Sequence, residues 1–201
     1  VIVDYYPWCD DQDESFAWIV ETPKEIDDDE WRLGEGKPAA SWFPKEVTYR
    51  LEKEGGVKVG DYIKNASRLL FVSARLKEFL EKNASESRIE FFPVKIRNHK
   101  GRLIDKPFFI ANPIGAVACL DQEKSDFRWG AIAKDQVDRF RRLVLDESKI
   151  PRDLKLFRLA EQTNLVIVRR DLAQDIVDND FTGMFFMEME DYGMEWRGGK
   201  A

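Results

Sequence analysis

The single histidine, His99, stands in Asn98-His99-Lys100-Gly101, a stretch that reads as a hairpin turn. There it reads as an exposed turn residue. With no second imidazole near a Ser or Cys, no conventional nucleophile–base pair can be drawn. Cys9 has Asp4, Asp10 and Asp11 around it, a setting that raises a thiol pKa and suppresses the thiolate. Cys119 lies in the apolar run Gly115–Leu120 and reads as core. Two cysteines make neither a disulfide framework nor a metal site. P-loop, GxGxxG and nucleophile-elbow patterns are absent. A calcium loop begun at Asp11 places Phe16 where an EF-hand needs glycine, and one begun at Asp10 is broken inside by Gln12 and Ser15. Carboxylates are so abundant that no single pair argues for carboxylate-only chemistry such as glycoside hydrolysis. The expectation is a protein with no catalytic residues, no cofactor and no metal.

Those carboxylates are unevenly spread. Residues 1–30 hold eleven acidic residues against Lys24 alone, a net charge of −10 within a chain whose total is −6. A pole this negative repels nucleic acid and anionic membranes, and its natural counterpart is a basic protein. Trp8 and Trp31 stand beside the two densest acidic groups, Asp10, Asp11, Asp13 and Glu14, and Asp27, Asp28, Asp29 and Glu30. Tryptophan supplies large contact area at low entropic cost, so these ten residues are the expected partner-binding set. The remaining tryptophans read as core or partly buried scaffold.

The elements that must position them follow from periodicity. Residues 1–6 and 15–20 read as short strands around the Asp10–Glu14 turn. Residues 21–60, rich in Gly, Pro and charge, read as loops with a short strand near Val47–Leu51. Leu69–Val72 is strand-like, and Ser73 then caps a helix whose apolar face is Leu76, Phe79 and Leu80. Residues 89–97 and 102–111 form a hairpin across Asn98–Gly101, apolar on both faces and therefore covered on both, with Pro93 and Pro107 pulling toward edges or bulges. Strands follow at Val137–Leu145 and Lys155–Leu159. A second strand–helix unit runs from Leu165–Val168 through Arg169–Asn179, and Thr182–Phe186 is a closing strand. Shifted by 96 residues, Leu69, Val72, Leu76, Leu80 and Asn83 meet Leu165, Val168, Leu172, Ile176 and Asn179. The echo fits either a duplication or two uses of one packing unit. The fold class is α+β: a mixed, mostly antiparallel sheet with a central hairpin and two main helices packed on it. Three regions are expected: an acidic, aromatic-rich segment over 1–60 packed on the main domain, an α+β domain over 61–190, and a flexible tail over 191–201.

One pattern runs across these elements. Leu69-Leu70-Phe71-Val72-Ser73 with Leu76 is followed by Phe91-Phe92-Pro93-Val94, Gly101, and Asn112-Pro113 leading to Cys119-Leu120-Asp121 and Ser125. Leu156-Phe157-Arg158-Leu159, the strand at 165–168, and Thr182-Gly183 with Phe185 complete it. In order and spacing this resembles the eleventh catalogued immunity-protein family of bacterial polymorphic toxin systems, formerly a bacterial domain of unknown function. The resemblance covers roughly 60–187. It implies a small α+β protein that binds a cognate toxin, nucleases being among the toxins of such families, and neutralises it without catalysis. Phe92 and Pro93 then read as fold determinants. A basic nuclease toxin would suit the acidic segment, which would compete for a phosphate-binding surface. The runner-up is a non-catalytic adaptor for a non-toxin partner.

The longest apolar runs are far too short to span a bilayer, and no basic n-region precedes an apolar h-region. A start at Val1 fits loss of an initiator Met. The expectation is a cytoplasmic protein with two reduced thiols, contacting neither membrane nor nucleic acid directly.

Overall fold

The computed structural model describes residues 4–193; the expected tail from 194 onward and the start of the expected 1–6 strand lie outside these. Six strands form one sheet in the order β2 (Trp18–Ile19), β4 (Tyr62–Asn65), β5 (Leu70–Ser73), β7 (Phe108–Pro113), β6 (Ile89–Arg97), β3 (Thr48–Arg50). Five form a second, in the order β13 (Met184–Phe186), β1 (Tyr5–Asp10), β12 (Gln162–Arg169), β11 (Leu156–Leu159), β8 (Ala116–Val117). β9 (Asp126–Trp129) and β10 (Val137–Arg142) make a separate antiparallel hairpin. Helix α1 (Ala74–Asn83) follows β5, and α2 (Arg170–Asp178) follows β12. The class is α+β with mixed, mostly antiparallel sheets. Among the described residues no helix is long and apolar enough to cross a membrane.

The local signals act where they were read. Ser73 turns its side chain to accept from the Leu76 N–H at 3.2 Å, satisfying one of the free donors of the first turn of α1. In the central hairpin, Gly101 takes φ +77°, a conformation open to glycine at little cost. Pro93 is tolerated because β3 reaches β6 only over Lys95–Arg97, so no second neighbour asks for the missing N–H. The strand after the turn begins later than the pattern suggests, at Phe108, since Asp105–Pro107 do not pair; Leu103 alone bridges to Arg97. Likewise β1 runs to Asp10 because Trp8, Cys9 and Asp10 pair with Phe186, Phe185 and Met184 of a strand far away in sequence.

Both faces of each sheet are covered. Leu70, Val72, Ala111, Val166, Val168 and Trp8 join Leu76, Leu80, Leu172 and Ile176 of the helices in one core shared by the two sheets. The alternate residues of β5 and β7, Phe71, Phe108 and Ile110, pack on their other side with Phe92, Val94 and Ile96 and with Ile26, Leu33, Ala39 and Val47 of the loops. The other face of the second sheet, with Tyr5, Phe157, Leu165 and Ile167, is covered by Cys119, Leu120, Phe140, Leu143 and Ile150.

The two sheets are also copies of one arrangement. β4–β5–α1–β6–β7 and β11–β12–α2–β13–β1 have the same neighbours in the same directions, the second unit borrowing β1 from the other end of the chain. Each carries a short parallel strand at one edge, β2 beside β4 and β8 beside β11. The registers agree residue by residue. Tyr62 faces Val72 and Ile63 faces Phe71, as Leu156 faces Val168 and Phe157 faces Ile167. Phe108 faces Ser73 as Tyr5 faces Arg169. Loop bonds repeat too: Ser73 N–H donates to Asp61 O at 2.7 Å and Arg169 N–H to Lys155 O at 2.8 Å, while Ala74 N–H donates to Pro107 O at 3.1 Å and Arg170 N–H to Asp4 O at 2.8 Å. The 96-residue echo in sequence is therefore a repeat in three dimensions, with one strand permuted.

Candidate functional site

The acidic group at 27–30 is held by one inward carboxylate. Ile26 is buried, and its carbonyl accepts from the N–H groups of Asp29 and Glu30 at 2.9 and 2.7 Å, winding the chain into the 3-10 turn Glu30–Gly34. Glu30 is only 6% exposed and accepts from Thr22 Oγ1 at 2.5 Å, Ser67 Oγ at 2.5 Å and Tyr49 Oη at 2.8 Å. Burial first, then the Glu30 charge, holds the Tyr49 phenol far above its usual range, so the Tyr49 proton stays on as donor. With Glu30 and Leu33 turned inward, Asp27, Asp28 and Trp31 face solvent. Trp31 is 66% exposed and donates its indole N–H to Asp28 O at 2.9 Å, which fixes the ring against the turn. Asp29 is paired with Arg32 at 3.0 Å, and that guanidinium lies 4.5 Å over the Trp42 ring. Asp27 and Asp28 make no ion pair among the described residues.

The group at 10–14 is built differently. Asp10 accepts from Tyr62 Oη at 2.7 Å, and burial raises its carboxyl pKa. Asp11 and Asp13 accept the N–H groups of Asp13 and Ser15, both at 2.9 Å, and so shape their own turn; the Ser15 N–H bond lowers the Asp13 pKa. Glu14 is exposed. The structure thus divides the ten expected partner-binding residues. Asp27, Asp28 and Trp31 form one exposed face, and Asp13 and Glu14 lie exposed in a separate turn. Trp8 and Glu30 are corrections to the expected set. Trp8 is 7% exposed and packs edge-on against Tyr62 and Phe186, because β1 lies between two strands and turns this residue into the shared core. Glu30 is an internal anchor.

A second prominent surface escaped the reading from sequence. The β9–β10 hairpin presents Ile132 at its tip, 99% exposed, with Trp129 38% exposed below it and edge-on to Phe127. Val137 and Phe140 root it in the core, and Arg128 pairs with Asp138 across it. The alternation in Asp126-Phe127-Arg128-Trp129, followed by Gly130, was the available signal.

Conventional reactive groups are placed without an obvious use. His99 is half-buried in the hairpin turn. Cys119 is buried, and burial pushes its thiol up to about 12. Among the described residues no group of three His, Cys, Asp or Glu side chains is arranged to hold a metal ion.

The model of the Immunity protein family (Imm11) matches residues 6–191, so the match takes in the acidic residues as well as the central hairpin. The chain belongs to that family. No curated protein matches it.

Proposed function

We infer, from membership of an immunity protein family and from the acidic face, that this chain binds a cognate toxin and neutralises it by contact alone, without catalysis. The toxin is a nuclease whose phosphate-binding groove is basic. Asp27, Asp28 and Trp31 dock on that groove. The observation that carries the reading is Trp31, 66% exposed yet pinned by its bond to Asp28 O, on the same turn as Asp27 and Asp28, which make no ion pair among the described residues. An aromatic anchor inside a charged rim steers a partner by charge and holds it by burial.

The test is recovery of a complex. The tagged chain is co-expressed with the product of its native neighbouring gene, and the bound protein is identified by mass. Recovery of a basic domain whose nuclease activity falls in proportion to added chain supports the reading. A toxin that is bound but is not a nuclease removes the groove argument while leaving the immunity role. A non-toxin partner would put the adaptor reading first.

A further inference from the structure

The β9–β10 hairpin stands apart from both sheets, and its two edges differ. The far edge of β10 is covered: Val137 N–H donates to Glu161 O, and a Cβ on Gly193 would meet Phe140 O. β9 pairs with β10 alone, so among the described residues no strand lies along its other edge. Both register shifts in the hairpin put their extra residue on β10, at Asp138 and Arg141, and β9 itself runs regular. Elsewhere the edges are closed or shorter. Ile19 of β2 bridges to Leu51 just after β3, which brings the two edges of the six-stranded sheet together. β8 and β13 hold two and three residues against the four of β9. A regular open edge is a template for a further strand.

The residues of β9 select that strand. Asp126 and Arg128 are exposed on one face, while Phe127 and Trp129 share the other, their ring centroids 5.0 Å apart. Two copies of β9 laid antiparallel about a two-fold axis set residues of the same face opposite each other, so the axis must pass beside one residue and its equivalent. Centred on Asp126, that pairing opposes two carboxylates; centred on Arg128, it opposes two guanidinium groups. Centred on Phe127, it sets Asp126 opposite Arg128 of the second copy and Arg128 opposite Asp126 of the second copy. Opposite charges across a strand pair stabilise it and like charges destabilise it, so charge fixes the register. On the other face the same register brings the two Phe127 rings together. Each Trp129, 38% exposed in the single chain, then lies diagonal to the second copy's Phe127.

We propose that a second copy of this chain pairs along β9 in this register, joining two hairpins into one antiparallel sheet. Arg128 already pairs with Asp138 inside its own hairpin, whereas Asp126 makes no ion pair among the described residues, so the second copy supplies the cation that Asp126 lacks. The contact is small, and the dimer is therefore weak, with a Kd of about 10–100 μM.

Sedimentation of the full chain tests this in about 0.15 M salt, which screens the repulsion between two chains of net charge −6. The sedimentation coefficient should rise with concentration between about tenfold below that Kd and tenfold above it. Asp126→Arg opposes guanidinium groups at both ends of the register and should weaken self-association about tenfold or more. Its complement, Arg128→Asp with Asp138→Arg, keeps the hairpin's internal pair with the charges exchanged and should weaken self-association by a similar factor. Mixed one to one, the two variants again face each other with opposite charges, and the mixture should associate within about threefold of the unaltered chain. An unaltered chain that stays monomeric throughout, a dimer indifferent to Asp126→Arg, or a mixture that stays monomeric would each overturn the proposal. None of these outcomes touches the immunity reading, which rests on other residues.

Discussion

Two crossovers occupy the same place in the repeated unit. Residues 20–61 link the edge strand β2 to β4, and residues 118–155 link β8 to β11. Each covers the outer face of its own sheet. They share little else. The first holds eleven acidic against seven basic residues and is tied down at several buried polar points; the second holds eight against nine and projects a hairpin with an apolar tip. The frame tolerates such divergence because strand register and helix placement are fixed mainly by pairings among β4, β5, β6 and β7 and among β11, β12, β13 and β1, outside both crossovers. Recognition can then vary in the connections, as it commonly does where loops are carried on a rigid scaffold.

The sharpest test of this contrast is Arg158, because it clamps the first crossover from within the second sheet. It is 1% exposed, and its partners are the carbonyl oxygens of Pro113, Thr163 and Leu33, at 3.0, 2.8 and 2.9 Å, and Asn112 Oδ1 at 3.3 Å. Lacking a carboxylate among these partners, it has its pKa lowered to about 10 by burial. Arg158→Met strands those acceptors and should cost about 3 kcal/mol or more in urea unfolding. Lys64 stands at the matching position of the first copy and is only half-buried. Lys64→Met should cost less than about 1 kcal/mol. Equal losses would break the claim that the two copies are tied down unequally.

Glu30 comes next. Glu30→Ala leaves Tyr49 Oη buried without its acceptor and should cost about 2 kcal/mol in the same measurement. Asp146 caps the short 3-10 turn Glu147–Lys149 in the second crossover by accepting from Ser148 N–H at 3.2 Å, but it does so in solvent. Asp146→Ala should leave the unfolding midpoint nearly unchanged.

This difference also marks what was legible beforehand. Strand–helix units, the Ser73 cap and the Asn98–Gly101 turn depend on neighbours within a few residues, so pattern alone exposes them. The inward turn of Glu30 depends on Thr22, Tyr49 and Ser67, and nothing local separates it from Asp27 or Asp28. Trp8 was misplaced for the same reason: its side chain is set by the pairing of β1 with β12 and β13, strands more than a hundred residues away. The 96-residue echo was visible, but the permuted strand hid its meaning, since β1 precedes the copy it completes.

At the surface, the contrast becomes one of binding rates. Asp27→Lys with Asp28→Lys should slow association with a basic toxin about tenfold at low salt, with the deficit closing as salt rises and stability untouched. Ile132→Ser at the hairpin tip should leave association unchanged. Should only Ile132→Ser weaken the complex, the toxin is read by the second crossover, and the acidic face serves solubility.

The smallest effect tests the repeat itself. Asp61 pairs with Arg75 at 3.4 Å, and at the matching positions Lys155 pairs with Asp171 at 3.0 Å, the same ion pair with its charges exchanged. Lys155→Asp alone sets two carboxylates together, whereas Lys155→Asp with Asp171→Arg copies the polarity of the first unit. The single change should cost about 0.5–1 kcal/mol and the double change should recover only part of it, because Arg169, which also pairs with Asp171 at 2.7 Å, then meets a second guanidinium; the values are small because these side chains are partly exposed. Acid titration gives an independent check. Hydrogen bonding from Arg169, then Lys155, holds the Asp171 carboxyl well below the usual carboxylate range. A lowered folded-state pKa stabilises above the unfolded value of about 4, and that contribution fades as pH falls toward the folded value. Asp171→Asn should therefore destabilise the chain at pH 7 and lose its penalty progressively below about pH 4. A penalty that persisted unchanged into acid would mean the carboxylate acts through packing, and the charge-exchanged pair would then not be a working counterpart of Asp61 and Arg75.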